Sequence, residues 1–229
     1  MNLKKWLIAI PLTLALALGV AACGSSDSDS GSSGSSGDAV SGEIAGAGAS
    51  SQEAAMAAWV AGFQENNPDA NIAYDPVGSG GGREQFIAGG TDFGGTDTPM
   101  DETELADVAK RCKPGEYIEI PVYISPIAVP YNVEGVDDLN LSASTLARIF
   151  AGDITKWNDQ AIAAENPDAS LPDQDIVVVH RSDESGTTEN FTDYLHQAAP
   201  KDWTDEPDTT PKQRLTADLL SLVPVEDQL

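Results

Sequence analysis

Arg181-Ser182-Asp183-Glu184-Ser185-Gly186-Thr187-Thr188 separates two stretches of opposite character. Before it, Ile176-Val177-Val178-Val179 reads as a buried strand, and after it Glu189-Asn190-Phe191-Thr192-Asp193-Tyr194-Leu195 reads as a helix. A guanidinium, hydroxyls and a glycine therefore collect where a strand hands over to a helix N-terminus. Free backbone N–H groups and the positive end of the helix dipole favour an anion there. Arginine adds a rigid fork of donors matched to a tetrahedral oxyanion. The stretch predicts an oxyanion-binding loop in an α/β fold, with ligand at the strand ends.

Three further turns lead into helical patterns in the same way. Gly46-Ala47-Gly48-Ala49-Ser50-Ser51 comes first, where Ser50 and Glu53 have capping-box spacing and Met56, Trp59, Val60 and Phe63 recur at helical intervals. Gly78-Ser79-Gly80-Gly81-Gly82 precedes Arg83, and such a run lets backbone approach a ligand closely. Thr91-Asp92-Phe93-Gly94-Gly95-Thr96-Asp97-Thr98-Pro99 offers Thr98 as a cap with Pro99 at the first helical position. Runs at 71–74, 117–131 and 176–179 read as the strands between these helices.

Charge sets the terms on which an anion could bind. Twelve basic residues face 37 acidic ones, for a formal net charge of −25. A field of that sign repels anions at long range, so a specific site must rest on short, directional hydrogen bonds. It also excludes nucleic acid as a partner, since phosphate-backbone binding needs clustered Lys and Arg. No cofactor or metal is expected. His180 and His196 are the only histidines and lack metal-ligand spacing. The glycine run at 78–82 lacks the Gly-Lys-Ser/Thr end of a P-loop, and Gly46-Ala47-Gly48 lacks the third glycine of a dinucleotide fingerprint.

The N-terminus places the protein outside the cytoplasm. Lys4 and Lys5 precede an apolar run, Trp6 to Val20, shorter than a membrane-spanning helix requires. Val20-Ala21-Ala22-Cys23 then resembles a bacterial lipobox, which implies removal of residues 1–22 and lipid on Cys23. Two acyl chains on that sulfur suffice for a stable anchor. Residues 23–37 are rich in Ser, Gly and Asp and read as a flexible tether. Past Cys23 the only cysteine is Cys112, either a buried thiol or half of a bridge.

Five motifs fall in one order. They are Gly46-Ala47-Gly48-Ala49-Ser50, Gly78-Ser79-Gly80-Gly81, Asp92-Phe93-Gly94-Gly95-Thr96-Asp97, Ile149-Phe150-Ala151-Gly152-Asp153-Ile154-Thr155-Lys156-Trp157 and Arg181-Ser182-Asp183-Glu184-Ser185-Gly186-Thr187. Together they resemble the phosphate-binding lipoproteins of bacterial phosphate ABC transporters, the PstS family. The resemblance implies a two-lobed, periplasmic-binding-protein-like α/β fold whose lobes close over inorganic phosphate, with the N-terminal part of lobe 1 at 38–120 and an incomplete lobe 2 at 121–204. It carries the binding positions onto Ser50, Ser51 (through its backbone N–H), Ser79, Asp97, Arg181, Ser185, Gly186 and Thr187, with Asp183 holding the arginine. The implied partners are permease subunits with a cytoplasmic ATPase. Two departures stand out. Ser50 and Ser51 replace the family's usual threonine and aromatic, and residues 205–229 lack the family's glycine-rich continuation. That tail is expected to be divergent, from a truncated or shifted reading frame or a short variant.

Binding without chemistry is the mechanism this reading predicts. Two other classes compete with it. A secreted phosphatase would use Ser185 as nucleophile, and a sulfate or molybdate binder would share the fold but leave Asp97 without a role.

Overall fold

The computed structural model describes residues 40–113 and 116–210, all within one compact unit, Ala39–Leu229. The leader, the whole tether with Cys23, and the tail from 211 lie outside the described residues.

The first part of the unit is a small parallel sheet with helices. Strands β1 (Gly42–Gly48), β2 (Ala70–Asp75) and β3 (Phe93–Gly95) lie in the order β2-β1-β3. In register, Ile44 stands opposite Ile72, and Gly48 opposite Gly95. Parallel neighbours need crossovers, and α1 (Glu53–Asn66) and α2 (Ser79–Ala88) provide them. Helix α2 presses onto the central strand so closely that a Cβ at Gly82 would collide with backbone at Gly48 and Ala47. Gly48 itself has φ +151°, a conformation open to glycine and strained for other residues. Helix α3 (Glu102–Arg111) follows, started by a reciprocal box in which Asp101 accepts from Glu104 N at 2.7 Å and Glu104 accepts from Asp101 N at 3.0 Å.

The second part is helical. Helices α4 (Ala143–Phe150), α5 (Gln160–Glu165) and α6 (Gly186–Ala198) surround two apolar clusters. Ala147, Leu195, Ala199 and Trp203 form one, and Ile149, Ile154 and Ile162 the other. The motif 149–157 explains itself here. It ends α4, turns at Gly152 with φ +79°, and returns Ile154 to the core at 1% exposure. Beyond α6, Asp208 N donates to Thr192 Oγ1 at 3.1 Å and Ser185 N to Thr209 O at 3.3 Å, so the chain returns along that helix.

The structure departs from several sequence expectations. Ser50 caps nothing. It opens a short 3₁₀ turn, Ser50–Gln52, and α1 starts at Glu53 with no side-chain cap. Thr98 and Pro99 do not begin a helix, because the stronger box at Asp101 and Glu104 fixes the start of α3 three residues later. The runs 117–131 and 176–179 form no strand among the described residues, although an isolated bridge between Lys156 and Asp175 and a bond from Ile176 N to Thr155 O lie at the start of the second. The apolar side chains they carry stay in solvent, with Ile124 97%, Val179 80% and Ile118 77% exposed. Two glycine-rich stretches read as turns instead hold the end of β1, residues 46–48, and all of β3.

Candidate anion site

Four loops meet where β1 and β3 end and where α2 and α6 begin. Tertiary contacts hold the first, Ala49 to Ser51, on three sides. Ala49 N donates to Gly95 O at 2.9 Å, Tyr74 OH to Ala49 O at 2.9 Å, and Tyr123 OH to Ser51 O at 3.0 Å. Burial, followed by the negative charge of Asp97, pushes the Tyr74 phenol up to about 12. It therefore remains a donor throughout the working pH range.

Asp97 is the centre of the arrangement. Ser51 Oγ donates to its Oδ1 at 2.5 Å, and Thr187 Oγ1 to its Oδ2 at 3.0 Å. Its backbone N–H donates to Ser79 Oγ at 3.1 Å, and its carbonyl accepts from Asn190 Nδ2 at 3.1 Å. One carboxylate thus gathers hydroxyls from the sheet-bearing and the helical parts.

Arg181 is similarly fixed. Asp183 grips it through both carboxylate oxygens, at 2.8 Å on Nε and by a shorter contact on Nη2. Nη2 also donates to Ser50 Oγ at 2.6 Å, crossing to the first loop. Arg181 and Asp183 remain partly exposed, so their pairing orients the fork more than it stabilises the fold.

At the head of α6, Ser185 Oγ accepts from Thr188 N at 3.3 Å and so caps the helix. Ser185 is 2% exposed and Ser79 1%. Each oxygen is used as an acceptor, which leaves each hydroxyl hydrogen for another partner. The amides of Gly186 and Thr187 make no backbone hydrogen bond among the described residues. Gly186 lies against Ser79 and Asp97, where an added Cβ would stand 2.5 Å from Ser79 Oγ. Gly80 N donates to Glu184 O at 2.9 Å and closes the seam between α2 and the α6 loop. All eight predicted binding positions and Asp183 are thereby brought together. Ser51, expected to act through its backbone N–H, also bonds Asp97 through its hydroxyl.

A second ionic cluster lies behind Asp97 and was not apparent in the sequence. Arg83, 8% exposed, donates to Glu104 Oε1 at 2.8 Å, Thr96 Oγ1 at 3.0 Å and Thr98 Oγ1 at 2.9 Å. Thr98 Oγ1 passes a hydrogen bond on to Glu189 Oε2 at 2.7 Å. The only available signal was an arginine placed directly after a glycine run in so acidic a chain.

The histidines stand apart from this chemistry. His180 Nδ1 lies 2.7 Å from Arg181 O and His196 Nδ1 2.9 Å from Asp205 O, and neither is bonded to Ser185. Among the described residues no cluster of three or more His, Cys, Asp or Glu is arranged to hold a metal ion. Nor is any described helix long and apolar enough to cross a membrane. Cys112 is a free, half-buried thiol at the end of α3.

Residues 33–218 match the family described as the PBP superfamily domain. The chain is 45% identical over 156 residues to phosphate-binding protein PstS 3 of Mycobacterium tuberculosis, covering 68% of this chain and 42% of that one. It is 40% identical over 175 residues to PstS 2 of the same species, covering 74% and 47%. Against phosphate-binding protein PstS of Haemophilus influenzae it is 40% identical over 167 residues, covering 72% and 47%. The chain thus spans less than half the length of these relatives.

Proposed function

The chain belongs to the PBP superfamily, and from its kinship with the PstS proteins we propose that it binds inorganic phosphate outside the cytoplasmic membrane. On this reading it delivers phosphate to the permease of an ABC transporter and is held at the membrane by lipid on Cys23. Phosphate is gripped by Ser50, Ser51, Ser79, Arg181, Ser185, Gly186 and Thr187. Asp183 holds the arginine fork, and no bond of the ligand is made or broken.

The observation that carries the proposal is the position of Asp97 among donors. Arg181 is neutralised by Asp183, so Asp97 leaves the site's own charges at about −1. A fully deprotonated dianion meets net repulsion there. Phosphate near neutral pH retains at least one proton, and that O–H offers Asp97 the same kind of donor that Ser51 and Thr187 offer it. Its remaining oxygens accept from hydroxyls, from the amides at the head of α6 and from Arg181. Selectivity then arises from a repelled, unpaired group facing the wrong anion.

The test is the ratio of sulfate to phosphate dissociation constants at fixed pH and salt. Asp97→Asn is expected to shrink that ratio at least tenfold, since one charge-assisted hydrogen bond is worth about 1.5–3 kcal/mol. An unchanged ratio would mean that Asp97 does not read the proton, leaving a generic oxyanion binder.

A further inference from the structure

We propose that Arg83, Thr98 and Glu189 form a latch that holds the two parts of the molecule shut over the anion and sets how slowly it leaves. The inference rests on the phosphate-binding reading for its ligand, though not for its geometry.

The side chains of the cluster bond to no anion-facing side chain, yet the cluster spans the same seam. Arg83 comes from α2, Thr98 from the loop after β3 and Glu189 from the first turn of α6. Thr98 Oγ1 is the pivot, accepting from Arg83 Nη1 at 2.9 Å while donating to Glu189 Oε2 at 2.7 Å. Arg83 Nη2 approaches the same carboxylate oxygen at 3.9 Å. Glu104 takes its Nε and Thr96 a second bond from Nη1, so Arg83 is committed to the sheet-bearing part. Glu189 is then the only member carried by the helical part.

Helix periodicity gives this placement its consequence. Glu189 lies three residues after Gly186, and Asn190 four after, so all three share one face of α6. Gly186 packs against Ser79 and Asp97, while Asn190 donates to Asp97 O and Glu189 accepts from Thr98. The latch fixes the helix one turn behind the amides that would meet the ligand. Pulling Glu189 away would tilt those amides off the site while leaving both halves folded. A carboxylate in the first turn is also favoured by the helix dipole. The buried arginine, a tempting second anion ligand in so acidic a chain, therefore serves as a positioning residue.

Two readouts test this in the full chain, namely stopped-flow release of phosphate and hydrogen exchange at the Gly80 amide, which bonds across the seam to Glu184 O. Thr98→Val and Glu189→Ala are each expected to speed release by about ten- to a hundredfold with association nearly unchanged. Each should also raise exchange at Gly80 while sparing the β1–β2 amides. Thr98→Ser keeps the hydroxyl and should behave as wild type. The double variant should be no worse than the poorer single one, because both break the same link. Unchanged release and unchanged Gly80 exchange in both single variants would overturn the latch. So would exchange rising equally throughout the sheet, or strictly additive effects. If the wild type binds no phosphate but Gly80 exchange still rises selectively in the variants, the functional reading fails and the latch stands.

Discussion

Replacing Gly186 with alanine adds one methyl group at the tightest point of the site. Its carbon would stand 2.5 Å from Ser79 Oγ, 2.9 Å from Asp97 Cβ and 3.0 Å from Ser79 Cβ. Ordinary contacts need about 3.5–4.0 Å, so the methyl is roughly 1 Å too close to three atoms. Neither neighbour can yield cheaply. Ser79 is 1% exposed and holds Asp97 N, while Asp97 is fixed by Ser51 and Thr187. The head of α6 must withdraw instead, stretching the Thr187–Asp97 bond of 3.0 Å and the Gly80–Glu184 bond of 2.9 Å. Overpacking of this kind costs about 1–3 kcal/mol, a loss of roughly five- to 150-fold in phosphate affinity. Helix propensity acts in the opposite direction, since alanine is better than glycine in a helix by up to about 1 kcal/mol. Because the clash is relieved when the two parts separate, the melting temperature without phosphate should hold or rise while affinity falls. Calorimetric titration of phosphate beside a thermal melt separates these effects. A Gly186→Ala protein that binds phosphate as tightly as wild type would refute the closed packing of Gly186 on Ser79.

Three other outcomes are expected. Glu165 accepts from Ser142 N at 2.8 Å, Ser142 Oγ at 2.7 Å and Thr145 Oγ1 at 2.7 Å. Burial pushes its carboxyl up, but these bonds outweigh that and hold it below its ordinary 4.5. The charged form is therefore the one folding favours, so its contribution is full above 4.5 and lost as pH falls through the folded value. Glu165→Gln should cost about 1 kcal/mol at pH 7, and melts taken from pH 7 to 3 should show the gap to wild type closing. Tyr74→Phe removes the donor to Ala49 O and should weaken phosphate binding severalfold, for a bond worth about 1 kcal/mol. With the phenol up to about 12, that deficit should be flat between pH 6 and 9, and a deficit that varies across the range would count against the assigned donor. Cys23→Ser should leave the protein exported but soluble on fractionation, and full retention with the membranes would rule out the lipid anchor.

How much was legible depended on whether the deciding contacts were local. The heads of α2 and α6 were marked by Gly78 and Ser185, whose signals lie within a few residues. The middle strands were not. Gly46 to Gly48 and Phe93 to Gly95 carry the residues of turns, and they pair because α2 can approach a strand that lacks side chains. The reverse error arose at 117–131 and 176–179, where apolar composition signals a strand but only a neighbouring chain segment can make one. Capping shows the same limit. Ser50 and Asp101 both have box spacing, yet Ser50 opens a 3₁₀ turn and its hydroxyl accepts from Arg181, while Asp101 caps α3. The residues named from contiguous motifs lie together in the structure, whereas Arg83 and Glu189, 106 positions apart, meet only through the fold.

The bare extended runs have a further consequence for the molecule in solution. Residues 118–124 and 177–179 present apolar side chains beside peptide groups that bond to no other backbone among the described residues. Unpaired backbone flanked by apolar side chains can template pairing between copies. The principal restraint on such pairing is the net charge of −25, which makes copies repel one another. Water and ions limit that repulsion to about 10 Å at 0.1 M salt and about 3 Å at 1 M. Dispersal of the protein is thus a property of the medium as much as of the fold. Raising the ionic strength therefore weakens what keeps neighbouring molecules apart.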